Sequence, residues 1–238
     1  MAPRLPALLD RPVVFGRADP DAADPSESGL AELDQVIERG ARAVAADVWL
    51  TADGVPVLDR TGRLGGRLRR RTVAKTPAAD LPPTTTRLDE LLASIGADRP
   101  LSLDIRDAGA FEAVIGVARD AASEDRLWLC HPSVATLTPW RPETSARLVN
   151  IAGYRSLDGG LERRVADLEQ RDIDGLRLDH QDWTGGRITL LHRFGRLALA
   201  TGAVHEREMA ALLDAGIDAF YVTRIEASVA VTAQYYDD

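Results

Sequence analysis

The 238-residue chain contains a single cysteine, Cys130, and a single lysine, Lys75. One cysteine excludes an internal disulfide framework and any multi-cysteine zinc site. The scarcity of lysine beside abundant arginine and alanine reads as coding bias and carries no functional message. No apolar run approaches the roughly 18 residues that a transmembrane helix needs. The stretch Met1–Asp10 has an early arginine but no sustained apolar segment, so it does not read as a signal peptide. A reducing cytoplasm is therefore the expected compartment. Positive charge is also short: 29 Lys and Arg against 37 Asp and Glu leave a formal net charge of −8. That balance argues against a nucleic-acid partner, which wants a basic surface. No Gly-x-Gly-x-x-Gly follows the first apolar run, so a dinucleotide site has no support.

What is present is alternation. Short apolar runs lie at Val13–Phe15, Ala43–Leu50, Leu101–Ile105, Leu127–Cys130, Arg147–Ile151, Gly175–Leu178, Leu197–Ala200 and Ala219–Val222. Turn residues or charges bound them, as they bound buried parallel strands. Helical patterns lie between: Leu30, Leu33, Val36 and Ile37 share one face before Gly40. Leu88, Leu91, Leu92 and Ile95 do the same before Gly96, and Met209, Leu212 and Leu213 before Gly216. Strand–helix alternation predicts a parallel α/β fold. Eight strands in this length predict a (β/α)8 TIM barrel, a single domain spanning 1–238, with an open doubly wound sheet as the alternative. Thr61–Pro83 breaks the rhythm with glycines, prolines and the Arg67–Arg71 cluster, and reads as a long loop or small excursion after the second strand. The ending Tyr235–Asp238 reads as a short tail.

Gly40-Ala-Arg-Ala-Val-Ala-Ala-Asp-Val-Trp-Leu-Thr-Ala-Asp-Gly-Val-Pro-Val57 resembles the second-strand signature of glycerophosphodiester phosphodiesterases. The resemblance runs in order along nearly the whole chain. It takes in Val13–Ala18, Ser26-Glu27-Ser28, Thr86–Leu92, Leu101–Arg106 and Glu208–Asp218. It implies a (β/α)8 barrel with its site at the C-terminal ends of the strands. It also implies a hard divalent cation, Mg²⁺ or Ca²⁺, held by carboxylates, and two histidines moving protons. The first histidine position falls at Gly16 and the second near Arg60. Ala45 stands for a metal-binding glutamate, while Asp47 and Asp104 retain acids and Arg106 stands for a lysine.

Each candidate has two readings. Asp47 and Asp104 are metal ligands, or else they form ion pairs with Arg17 and Arg106. Arg17 and Arg106 are phosphate partners, since guanidinium groups bind phosphate bidentately. Glu27 either contacts ligand or stabilises a helix start. Trp183, just after the sixth strand, is a ligand-contact candidate, whereas Trp49 is expected to pack under the helices. His131, His180 and His205 follow strands four, six and seven and, with Asp179, form the candidates for a relocated proton-transfer site. His192 reads as a surface or packing residue.

The sequence thus leads to a glycerophosphodiester phosphodiesterase-like barrel that has lost its catalytic cycle. Such a pseudoenzyme would bind a phosphorylated small molecule or a protein partner. The alternative is a divergent metal-dependent phosphodiesterase of lipid metabolism acting on glycerophosphodiesters or related phosphodiesters.

Overall fold

Eight of the apolar runs become the strands of a closed barrel in the computed structural model, which describes residues 5–18, 29–64 and 71–236. They are β1 (Val13–Gly16), β2 (Ala43–Leu50), β3 (Leu101–Ile105), β4 (Leu127–His131), β5 (Arg147–Ile151), β6 (Gly175–Asp179), β7 (Leu197–Thr201) and β8 (Ala219–Val222). Neighbouring barrel strands pair in parallel, and β1 closes the ring by pairing with both β2 and β8. The helices are α1 (Gly29–Glu38), α2 (Leu88–Ser94), α3 (Phe111–Asp120), α4 (Val134–Leu137), α5 (Gly160–Gln170), α6 (Gly185–Arg193), α7 (Glu206–Asp214) and α8 (Ile225–Tyr236). Among the described residues no helix is long and apolar enough to cross a membrane.

Strand parity sorts the core into two shells. Val44, Val48, Leu103, Leu129, Leu148, Leu176, Leu178, Ala198, Phe220 and Val222 point outward and pack against the helices. Phe15, Ala43, Ala45, Trp128, Cys130, Val149, Leu199 and Tyr221 fill the barrel interior. Aromatic rings dominate that interior: Phe15 stacks on Tyr221 at 5.0 Å and meets Trp128 edge-on at 5.3 Å. Helix ends follow the sequence signals, with Gly40 taking φ of +102° just after α1.

The described residues of 61–83 form a small excursion of two short strands and two 3-10 turns. The end of β2 continues past the barrel, pairing Val48–Leu50 antiparallel with Pro56–Leu58, which in turn pairs with Thr86–Arg87. Arg63–Leu64 and Arg71–Thr72 form a small ribbon. Trp49 therefore packs against Val57, Leu64 and Val73 beneath this excursion, not under the helices. Its indole N–H donates to the Asp59 carbonyl at 2.8 Å. Of the arginine cluster, Arg71 lies in the ribbon; Arg67, Arg69 and Arg70 lie outside the described residues. Thr86 Oγ1 accepts from the Leu30 amide at 2.8 Å and so anchors the start of α1. Tyr235 and Tyr236 belong to α8 instead of a tail, and the Tyr235 hydroxyl donates to Asp214 at 3.0 Å.

Gly16 is set by close packing. A Cβ there would lie 2.5 Å from Val36 Cγ1, 2.8 Å from Ile225 Cδ1 and 2.9 Å from Ala41 Cβ. Gly16→Val should therefore lower stability by roughly 1–3 kcal/mol through overpacking between β1, α1 and α8. Denaturant unfolding measures it; a cost within about 0.5 kcal/mol would show that this layer yields.

Candidate functional site

Parallel register places two acids side by side. β2 and β3 pair with Asp47 opposite Asp104, and strand parity turns both side chains inward at the C-terminal end of the barrel. Asp104 is 2% exposed and Asp47 9%. Acids so buried are costly unless they are paired. Here both are paired with arginines.

Arg177, in the middle of β6, reaches across the interior to Asp104. Its two terminal nitrogens donate to Oδ1 at 2.8 Å and Oδ2 at 2.7 Å. Arg17 donates to Asp104 Oδ2 at 3.1 Å and lies 3.5 Å from Asp47 Oδ2. Arg106 grips Asp47 Oδ1 through Nε at 2.7 Å and Nη2 at 2.6 Å, with Nη2 also 3.5 Å from Asp104. Three guanidinium groups thus surround two carboxylates. Arg17 and Arg106 keep 27% and 41% of their side chains exposed, whereas Arg177 keeps 7%.

Burial alone would raise the Asp104 pKa. The charge of Arg177, with smaller contributions from Arg17 and Arg106, outweighs it and holds the carboxyl below its usual range. Burial likewise opposes the charge on Arg177, but Asp104 prevails and keeps it protonated. Beneath the pair the guanidinium lies 4.5 Å from the Tyr221 ring centroid, a cation–π contact. Tyr221 hydroxyl and Ser102 Oγ share a 2.8 Å hydrogen bond. Burial pushes up both the Tyr221 and the Cys130 pKa, so both stay neutral.

Above this layer opens a cleft of about 350 Å³, lined by Arg17, Asp47, Asp59, Arg60, Thr201 and Tyr221 among others. Arg60 Nη2 lies 3.5 Å from Glu32. Ala45 and Gly202 leave the cleft its width. The position facing the mouth from the end of β1 is Arg17; Gly16 faces the helices, so a histidine at position 16 would not reach the cleft.

The structure brings Arg17, Asp47, Asp104 and Arg106 together. It does not bring the other candidates to them. Trp183 is buried in the outer core and donates its indole N–H to the Leu199 carbonyl at 2.8 Å, so it does not face the mouth. His131 accepts from the Ser133 amide at 3.0 Å and meets Trp140 edge-on; burial holds its pKa down. His180 lies 3.3 Å from Asp179 and 3.8 Å from Glu208. His205 precedes α7, and Glu208 accepts from its amide and from that of Val204. None of the four histidines lines the cleft. Glu27 lies outside the described residues. Arg177 was not anticipated, although a charged residue at an inward position of an apolar strand is a readable signal.

A hard divalent cation wants several oxygen ligands free to bind it. Asp47 and Asp104 instead meet guanidinium nitrogens, and among the described residues no three His, Cys, Asp or Glu side chains converge to hold a metal ion. The residues present do not fit Mg²⁺ or Ca²⁺.

The barrel, with its excursion after β2 and its site at the strand ends, has the fold of the glycerophosphodiester phosphodiesterases. The solved structures it resembles include the enzyme from Thermotoga maritima, at TM-score 0.78 and 18% identity over 94% of this chain and 99% of that one. A phosphodiesterase from Oleispira antarctica, solved with its product sn-glycerol-3-phosphate, superposes at TM-score 0.76 and 20% identity, over 93% and 96% of the two chains. A Silicibacter pomeroyi protein assigned as a glycerophosphoryl diester phosphodiesterase reaches TM-score 0.81 at 18% identity, over 98% and 96%. No protein-family model matches the chain, and no curated protein matches it in sequence.

Proposed function

We propose that the barrel mouth binds a phosphorylated small molecule without hydrolysing it. The observation that carries this reading is the arginine cluster, three guanidinium groups on two carboxylates, with Arg17 lining the cleft and Arg106 partly exposed on Asp47. The inner group has one positive charge in excess, suited to an oxyanion. Guanidinium forks match phosphate oxygens in charge and spacing. The Oleispira antarctica phosphodiesterase, similar in fold, was solved with a phosphate monoester, sn-glycerol-3-phosphate. Absence of a histidine from the cleft lining supports binding without turnover, because proton transfer by a positioned base contributes about 10²–10⁴-fold to such reactions.

The test titrates glycerol 3-phosphate and glycerophosphocholine into the protein by calorimetry. In parallel, glycerol 3-phosphate release is assayed with Mg²⁺, Ca²⁺ or chelator. Binding without release is expected. Arg106→Ala should weaken binding about 10–100-fold, the worth of a charged hydrogen bond of roughly 1.5–3 kcal/mol. Metal-dependent release by the wild type would instead establish the divergent phosphodiesterase. Failure of both phosphate esters to bind would remove the reading.

A further inference from the structure

We propose that the guanidinium of Arg177 is a built-in cation that occupies the Asp104 oxygens a divalent ion would need, so that the mouth works without metal. Its second half rests on the anion-binding reading above; its first half does not.

The argument starts from lone pairs. A carboxylate offers about four acceptor directions. Asp104 spends two on Arg177 and a third on Arg17, and Arg106 stands 3.5 Å away. Asp47 Oδ1 takes two donors from Arg106, and its Oδ2 faces Arg17. An incoming Mg²⁺ or Ca²⁺ would meet three cationic side chains at these oxygens. To coordinate Asp104 it would have to displace Arg177, whose charge is buried and whose terminal nitrogens, among the described residues, bond only to Asp104. A buried guanidinium without its counter-charge costs more than an ordinary exposed pair gains.

Position matters as much as charge. Arg177 is anchored on a central strand, flanked by β5 and β7, and its plane lies over Tyr221. The cation therefore cannot leave as a metal ion leaves. It fixes Asp104, and Asp104 in turn orients Arg17 toward the cleft. Ligand binding should then be indifferent to chelators.

Calorimetric titration of the wild type with Mg²⁺ or Ca²⁺ alone, and its melting midpoint with each ion or with EDTA, give the first readout. No heat of binding and no shift are expected. A rise of about 5–10 °C at a hundredfold excess over Kd is what a bound ion would produce. Such a rise in the wild type, abolished by Asp47→Asn, would overturn the proposal.

Arg177→Gln gives the second readout. It frees Asp104 of its two shortest guanidinium contacts and should gain a Ca²⁺-dependent rise in midpoint that the wild type lacks. A folded Arg177→Gln protein that gains nothing would also overturn the proposal. If this variant does not fold, the wild-type titration still decides. Inorganic phosphate binding to the wild type, unchanged by EDTA, tests the second half. Loss of phosphate binding in EDTA would overturn metal independence. If phosphate binds under neither condition, the anion reading and that second half fail, while the cation measurements still judge the first half.

Discussion

Asp104→Ala is expected to lower the unfolding free energy by about 3–5 kcal/mol, the largest single effect in the barrel interior. The reason is what the substitution leaves behind. Arg177 remains in the interior, 7% exposed, with both terminal nitrogens stripped of their acceptor and its Nε already without a partner among the described residues. Removing one side of a buried pair costs far more than removing both. Asp104→Leu combined with Arg177→Met should therefore recover most of the loss, since apolar replacement of a whole buried pair is often neutral. Urea unfolding of the single and double variants yields the coupling directly. An Asp104→Ala cost below about 1 kcal/mol would mean that water reaches Arg177 and that the pair is not a buried one.

The same pair sets an acid limit. Asp104 is held below its unfolded value, near 3.9 for a free aspartate. Its contribution is therefore fully present above that value and is lost as pH falls through the folded one. Arg177 has its pKa raised, so its contribution would fade only at alkaline pH beyond any working range. The stability difference between wild type and Asp104→Asn should be flat from about pH 5 to 8 and should shrink below about pH 4. A difference that grows toward acid would reverse the sign assigned to Asp104.

How far the sequence reveals this site depends on parity and on distance along the chain. Strand positions are legible because buried parallel strands are apolar runs: four of the eight runs coincide with the observed strands at both ends, and the other four strands run one residue further. Asp47 and Asp104 were legible as a facing pair because each sits in such a run with a fixed alternation. Arg17 beside them follows from the same count: Val13 and Phe15 point inward, so position 17 does too, and Gly16 cannot. The resemblance puts the lost histidine at Gly16, where a side chain would strike Val36, whereas strand parity points to position 17.

Arg177 was harder. Its partner lies 73 positions earlier, and no local pattern links β6 to β3 across a barrel. The available clue was an arginine between Leu176 and Leu178, at an inward position. Trp183 shows the opposite error. Following a strand places a residue near the mouth, but Trp183 turns its ring outward because the Leu199 carbonyl satisfies its N–H and the helix layer takes its surface. Composition cannot report that choice. Glu90, within the Thr86–Leu92 stretch that carries the resemblance, accepts from the Arg87 amide at 2.9 Å at the start of α2.

Asp218→Ala should cost about 3–5 kcal/mol as well, at the opposite end of the barrel. Asp218 is fully buried at the entrance to β8. Its Oδ1 accepts from the amides of Leu8 at 2.7 Å and Leu9 at 3.3 Å; its Oδ2 accepts from the Ala198 amide at 2.7 Å and meets His192 Nε2 at 2.8 Å. One side chain therefore ties the N-terminal segment, α6 and β7 together, while its own carbonyl accepts from Val13 at the start of β1. His192 thus proves to be a packing residue with a definite partner. Alanine would leave several buried donors unsatisfied, each worth roughly 1–3 kcal/mol, though relaxation of the segment would recover part. Asparagine keeps a single carbonyl oxygen and should fall between. A midpoint drop of about 6–15 °C is expected for the alanine variant. Two outcomes separate its roles. If the whole barrel loses hydrogen-exchange protection together, Asp218 holds the β7–β8 junction. If only residues 5–12 lose protection and become protease-sensitive, its work is confined to the segment that carries Leu9 against the barrel floor. The buried Ala198 amide, which no loop movement can expose, argues for the first. A midpoint within about 2 °C of the wild type would show that these four contacts are replaced by water.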